Sequence, residues 1–274
     1  MPTPRWERFE GFLWETTSLL VVGESESLVV DPAISADEVA AIASRALELG
    51  APVGQVLITH GDWDHVCGIG GFPGAVAAMG EETAEKVTSG AAEKSVQRAV
   101  EALGFVAAGP PRADRTFERG KAVELGPFVV ETFPLVGHTA DSCGFRLREL
   151  GLLVVGDYLS SVEFPFGTSP AAYRLTLAGV IDLLREDPPE TVIPGHGPPL
   201  SAGEALAIAE ADLGYLRSLR SAVVDTLSGG GTREEAHAAG LAVDLPRGAS
   251  PDLEQEMRGF NVDRVLEEIL PSAE

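Results

Sequence analysis

Short apolar runs punctuated by turn residues dominate the first sixty positions. Phe9 to Thr17, Leu19 to Val22 and Ser27 to Val30 read as strands, with Gly23-Glu24-Ser25-Glu26 as a turn between the last two. Asp31-Pro32 ends the third run. Ser35-Ala36-Asp37-Glu38 then opens a helix, Ser35 acting as N-cap and Glu38 completing a capping box. Val39, Ile42, Ala43, Ala46 and Leu47 follow helical spacing, and Gly50 closes the helix. Val56-Leu57-Ile58 is the next strand. Strands, then a helix, then a strand imply an α/β layering and exclude a helical bundle.

The same alternation continues further along. Residues 75–79 read as a short strand and 81–103 as helix broken near Gly90, followed by a loop at Gly109-Pro110-Pro111. Val123 to Leu125, Phe128 to Phe133, Gly144 to Leu147 and Leu152 to Val155 form a second strand-rich half, then a helix over Pro170 to Arg185 and a strand at Thr191 to Ile193. From Ser201 the pattern is helical in three pieces, separated by Gly229-Gly230-Gly231 and by Leu245-Pro246-Arg247-Gly248. Ala205, Ile208, Ala209, Asp212, Leu213, Leu216 and Leu219 mark one face of the first piece. The expected organisation is a sandwich domain over residues 1–200 and a helical extension over 201–274 packed on it, walling the pocket or contributing to a homodimer.

Charge narrows the partners. A formal net charge of −22, spread along 274 residues, repels nucleic acid and anionic membranes, because phosphate binding needs clustered Lys and Arg. No apolar run is long enough to span a bilayer, and the first residues lack a basic-then-apolar leader pattern, so a cytoplasmic protein is expected. Cys67 and Cys143 cannot make a disulfide framework and are expected to be small buried thiols.

The densest chemistry lies in Thr59-His60-Gly61-Asp62-Trp63-Asp64-His65, directly after an apolar strand. If this stretch stays extended, side-chain alternation puts His60, Asp62 and Asp64 on one side and turns His65 toward a neighbouring position. Such spacing suits two adjacent metal ions better than one. Three more ligand types recur in the same grammar of hydrophobic strand, glycine and loop: Gly137-His138-Thr139, Gly156-Asp157 and Gly195-His196-Gly197. Four of five histidines sit at strand ends. The fifth, His237, reads as a solvated residue on a helix surface. Trp63 is placed near the mouth of the site, and Phe164-Pro165-Phe166 with Tyr173 are candidates for an apolar wall or for plain core.

With its four motifs in order, the chain resembles the metallo-β-lactamase fold superfamily of metal-dependent hydrolases over roughly residues 10–200. The resemblance implies an αββα four-layer sandwich with metals at one edge. It implies that His60, Asp62 and His138 hold a first divalent ion, that Asp64, His65 and His196 hold a second, and that Asp157 bridges them. It further implies a metal-bridging hydroxide attacking a small-molecule substrate, with Asp64 passing a proton to the leaving group.

One position departs from the family: Asp62 stands where a histidine is usual. Two divalent ions against three carboxylates and a hydroxide leave a neutral centre, where the usual histidine leaves one positive charge. Zinc is the common family metal, but an oxygen-richer site favours iron or manganese. The flavodiiron proteins, similar in having a carboxylate here, use iron for redox work, although theirs is Glu. The expected activity is hydrolysis of a carboxylic ester, thioester or lactone. The alternatives are an iron-containing redox protein and a metal-containing binding or sensing protein with little turnover.

Overall fold

The structure, a computed structural model, describes residues 5–248 and 251–270. The first sheet holds β1 (Arg5–Glu10), β2 (Thr17–Val22), β3 (Ser27–Val30), β4 (Val53–Ile58), β5 (Val76–Gly80) and β6 (Arg115–Phe117), in that spatial order. The first two pairings are antiparallel; β3 to β6 run parallel. The second sheet has the order β11-β10-β9-β8-β7, built from β7 (Ala122–Leu125), β8 (Phe128–Pro134), β9 (Cys143–Leu147), β10 (Leu152–Gly156) and β11 (Thr191–Pro194). Only β10 and β11 pair in parallel there.

Strands without polar alternation mean sheets covered on both faces. Leu19, Val21, Leu28, Val30 and Leu57 point inward and meet Val130, Phe145, Leu152, Val154 and Ile193 of the other sheet. Their neighbours Leu20, Val22, Val29, Val56 and Ile58 point outward onto α1 (Ala36–Glu48), α3 (Glu81–Thr88) and α4 (Ala91–Leu103). The outer face of the second sheet offers Leu153, Val155 and Val192 to α5 (Pro170–Glu186), α6 (Ala202–Ser228), α7 (Arg233–Leu241) and α8 (Pro251–Ile269). The layers are therefore αββα, with the last three helices extending the outer layer.

The capping box at Ser35 and Glu38 forms as expected, and Val39, Ile42 and Ala46 are buried; Leu47 instead faces solvent, one step off the apolar stripe. The face of α6 from Ala205 through Asp212 to Leu219 is buried against the sandwich, with Ile208 at its margin. Two strand readings change. The stretch Phe9 to Thr17 is not one strand: β1 stops at Glu10, and Trp14 and Glu15 adopt left-handed backbone (φ 50° and 51°) in a loop before β2. The short edge strand β6, with only Phe117 buried, carries too little apolar pattern to read in advance.

Candidate metal centre

The chain after β4 does not stay extended. Asp62 is the N-cap of α2 (Trp63–Val66), so Asp64 and His65 lie on a helical turn. Alternation along a strand therefore fails here, and with it the grouping of His60, Asp62 and Asp64 on one side. Acidic residues suit a helix start, and residues one apart on a turn diverge by about 100°, which re-aims Asp64 and His65 together.

The result is two triads around one carboxylate. Asp157 Oδ2 lies 3.4 Å from His60 Nε2 and 3.2 Å from His138 Nε2, while Asp62 Oδ2 lies 3.7 and 3.5 Å from the same two nitrogens. On the other side, Asp157 Oδ1 lies 3.1 Å from His65 Nε2 and 3.5 Å from His196 Nε2. Asp64 Oδ2 is 3.6 and 3.4 Å from those nitrogens. Despite these distances, Nε2 of His60, His65 and His138 and Oδ1 of Asp157 are buried without a hydrogen-bond partner of acceptable geometry. Buried polar atoms that converge but do not bond to one another are costly unless something sits between them. All seven residues read from the sequence as ligands meet here, in groups able to hold an ion each.

Each imidazole is aimed by its far nitrogen. His65 Nδ1 lies 3.0 Å from Asp31 Oδ2, His138 Nδ1 3.0 Å from the Phe166 carbonyl, and His196 Nδ1 3.1 Å from the Trp14 carbonyl. His60 Nδ1 is 3.0 Å from Thr59 Oγ1, whose hydroxyl donates to Asp31 Oδ2 at 2.7 Å. Donation from Nδ1–H to an acceptor leaves the Nε2 lone pair facing the centre, the tautomer a metal needs. Asp31 and Trp14 both hold left-handed backbone, as does Leu159 just after Asp157. Strain of this kind costs about 1–3 kcal/mol per residue and persists where the surroundings enforce it, as they do at this site.

Glycines make the close approaches feasible. A Cβ on Gly195 would meet Asp157 Oδ1 at 2.2 Å, and one on Gly137, which has φ 143°, would meet the Tyr173 backbone at 2.4 Å. Without them the strand ends could not converge.

Charge coupling within the cluster is strong. Burial opposes ionisation of Asp157, but the four surrounding histidines outweigh it and hold its carboxyl well below the usual range. Burial likewise disfavours the imidazolium of His65 and His138, yet Asp157 and its fellow carboxylates hold both well above the ordinary histidine value. His196 is raised to about 9, burial being outweighed by Glu163 and Asp157. Metal-free, the site therefore holds protons that ions would displace.

Asp62 differs from its neighbours. Its side chain keeps 39% of its exposure, and its Oδ1 lies 3.5 Å from Lys86 Nζ. Lys86 also pairs at 2.6 Å with buried Asp141, which accepts hydrogen bonds from the Gly61 N–H and the Thr83 hydroxyl. Burial would raise the Asp62 carboxyl, but the nearby His138 and His60 imidazoles and the Lys86 ammonium hold it well below the usual range. Charge counting from sequence omitted both Lys86 and Asp141, a pair that adds no net charge beside Asp62.

The centre floors a cavity of about 360 Å³. Trp14, Trp63, Phe166, Met257 and Phe260 line it with Glu163 and Glu256; the Glu163 carboxylate lies within 4.8 Å of ligand atoms of Asp157 and His196, a further group that could hold an ion. Burial pushes the Glu163 carboxyl up to about 7, so it can hold or release a proton near neutrality.

Residues 11–196 match the family model described as the metallo-beta-lactamase superfamily. The chain belongs to that superfamily. Among curated proteins no sequence match is found. Solved structures of this fold align well. A metallo-beta-lactamase family protein from Thermus thermophilus, TTHA1429, is 19% identical, with 98% of this chain and 94% of that one covered and a TM-score of 0.66. The stereoselective inverting sec-alkylsulfatase Pisa1 from Pseudomonas sp. is 13% identical, covering all of this chain and 50% of the other at a TM-score of 0.75. TTHA1623, solved in a di-iron-bound form, is 21% identical over 72% of this chain and 96% of that one, with a TM-score of 0.57. At these identities the likeness establishes the metallo-β-lactamase fold.

Several residues around this superfamily site were not read from the sequence. Asp31 was legible in principle, since it ends a strand as Asp157 does. Asp141 and Lys86, which brace Asp62, and Glu163 carry no local signal. Of the aromatic candidates, Phe166 and Trp63 line the cavity, whereas Phe164 and Tyr173 are buried core, against Tyr215 and Tyr158 respectively. Trp63 stacks on Phe105 at 5.8 Å and meets Trp14 edge-on at 5.7 Å. Burial pushes the thiols of Cys67 and Cys143 up to about 12, so both stay protonated. His237, part-buried, pairs with Asp263 at 3.5 Å, far from the centre in sequence and outside the cavity lining.

The C-terminal helices complete the wall. Glu256, Met257 and Phe260 of α8 face the cavity. Asn261 donates to the Pro165 carbonyl at 2.7 Å and accepts from Gly167 N–H at 3.3 Å, fixing the loop that carries Phe166. Arg247 pairs with buried Asp212 of α6 at 2.6 Å and donates to the Glu163 carbonyl at 2.9 Å. No helix among the described residues is long and apolar enough to cross a membrane.

Proposed function

We propose that this protein is a binuclear metal-dependent hydrolase of small carboxylic esters, thioesters or lactones. The observation that carries the reading is Asp157, whose two oxygens each face a separate histidine–carboxylate triad with unpartnered Nε2 atoms. Two divalent ions bound there would polarise the scissile carbonyl and activate a water as nucleophile. His60, Asp62 and His138 would hold one ion, Asp64, His65 and His196 the other, and Asp157 would contact both.

The remaining steps fall to the chain's own groups. Trp14, Trp63 and Phe166 exclude water from one end of the substrate and orient it over the floor. Asp64 would carry a proton to the leaving group, and Glu163 offers a second carboxyl able to do so near neutral pH. An acid-lined cavity without Lys or Arg favours these substrates over phosphodiesters.

Support for a redox role comes from the carboxylate-rich donor set and from the fold's occurrence in a di-iron-bound form. Metal analysis of the purified protein, with an ester, thioester and lactone panel run after loading with zinc, iron or manganese, separates the two. Hydrolysis that follows metal content supports the proposal. Two tightly held irons with reversible redox chemistry and no hydrolysis would establish the other reading.

A further inference from the structure

The cavity is unusual for a site that must attract a substrate to metal ions. All 20 Lys and Arg of the chain fall within the described residues, and none lines the cavity. The basic groups near it are already matched. Arg247 pairs with Asp212, Arg258 with Glu254, and Lys86 is shared between Asp62 and Asp141; Arg264 pairs with Glu267 through Nη1 and lies over the Phe260 ring, 5.1 Å from its centroid. Against that stand Asp62, Asp64, Asp157, Glu163 and Glu256, five carboxylates on the floor and walls. They are enough to offset the four charges of two divalent ions. A loaded pocket is neutral at best, with Glu163 at the floor beside Asp157 and His196 and Glu256 exposed. An anionic substrate finds no partner there and meets repulsion from Glu256.

The aromatic lining points the same way. Trp14 and Trp63 come from the β1–β2 loop and α2, and meet edge to face. Phe166 and Phe260 form a second corner, their ring centroids 6.1 Å apart at 81°. Rings from four separate segments, set at steep angles around a cavity with a carboxylate at its rim, provide the two attractions an organic cation uses. One is the negative face of the ring, the other a fixed counter-charge. Tetraalkylammonium groups profit most, because they lose little hydration on entering an apolar box.

From this combination we infer that the pocket selects substrates bearing a cationic group, of the amino-alcohol ester kind. The ammonium sits among Trp14, Trp63, Phe166 and Phe260 near Glu256, and the ester lies over the metal floor. This rests on the reading of the cavity as the substrate site. Glu256 and Phe260 are specificity-determining rather than catalytic, since they touch only the non-reacting end of the substrate.

The test uses shape-matched ligands that differ in charge. Choline and its uncharged isostere 3,3-dimethyl-1-butanol are titrated into the metal-loaded full-length protein, reading the fluorescence of Trp14 and Trp63. Choline is expected to bind at least about tenfold more tightly, a difference of about 1.4 kcal/mol. Glu256→Gln should lower that ratio several-fold, and Phe260→Leu should lower it by weakening choline more than the neutral alcohol. Metal content of both variants should match that of the parent protein. Equal or tighter binding of the uncharged alcohol overturns the inference, as does a ratio untouched by both substitutions. Turnover separates the two claims. Hydrolysis of 3,3-dimethylbutyl acetate as efficiently as of acetylcholine keeps the hydrolase and removes the cation preference. Selective choline binding without hydrolysis of any panel substrate keeps the cation site and removes the hydrolase.

Discussion

The two halves of the candidate metal centre use the same residue types in opposite settings. Around Asp64, His65 and His196 the carboxylate is buried, and its imidazoles are aimed by the Asp31 carboxylate and the Trp14 carbonyl. Around His60, Asp62 and His138 the carboxylate is partly exposed and is tethered from outside by Lys86. One half is braced from within the core, the other from the surface. A ligand held by buried charge has one orientation open to it; a ligand shared with a surface lysine can exchange partners. The second half should therefore bind its ion more firmly, and the first should carry the exchangeable one.

The largest expected effect comes from removing the group the halves share. Asp157→Ala should reduce bound metal from two ions to fewer than one, measured by elemental analysis after dialysis. Retention of both ions would dissolve the comparison, because neither half would then depend on the bridge.

Next in size, Asp62→Ala should strip the first ion selectively and leave the second near full occupancy. Site-resolved anomalous scattering checks this. Asp62→His adds a neutral ligand facing Lys86 and should shift preference toward zinc. An unmodified protein holding two ions with no Asp62 oxygen within about 2.0–2.5 Å of either would remove Asp62 from the ligand set.

A smaller loss is expected at the brace. Asp31→Asn keeps the size of the side chain but places an amide donor against one of the groups now donating to Asp31: the Thr59 N–H, the Thr59 hydroxyl or His65 Nδ1. Affinity for the second ion, whose His65 meets Asp31 directly, should fall about 10–100-fold, and affinity for the first, reached only through Thr59 and His60, should fall less, a contrast that competition with a metallochromic chelator can read. Equal weakening of both ions would mean that the halves are one mechanical unit.

The gentlest probe is pH. His196, raised to about 9 in the metal-free protein, stabilises the folded state fully below the ordinary histidine value of about 6.5, and that contribution is lost as pH rises through about 9. His65 and His138, also raised, act in the same direction. Chelator-treated protein should accordingly melt at lower temperature at pH 9.5 than at pH 6.5. Metal loading should reverse the trend over the same window, because ions compete with those protons. Parallel melting curves for the two forms would show that the histidines do not exchange protons for metal.

Local pattern was enough to read much of this protein. Period and punctuation placed the strands from Leu19 to Ile193 other than β6, the capping box at Ser35 and the break between α3 and α4, because apolar burial and turn chemistry are written residue by residue. The seven ligand candidates were legible because each stands at the end of a buried strand beside a glycine or in one dense cluster. Where the reading failed, a distant partner decided the outcome. The stretch after Glu10 could have continued as a strand, but Trp14 turns left-handed where its carbonyl meets His196, a contact across 182 positions.

Sequence alone, then, determined which residues could bind metal and which layers they would stand on. Tertiary structure decided how they divide. The turn of α2 sends Asp64 and His65 to one ion position and leaves Asp62 at the other. Lys86, 24 residues away, became the partner of Asp62, and Glu163 and Glu256 joined the cavity from a loop and from α8. No spacing rule relates these positions, because their meeting is fixed by the packing of two sheets and the C-terminal helices. Coulombic attraction acts across space, while pattern is read along the chain.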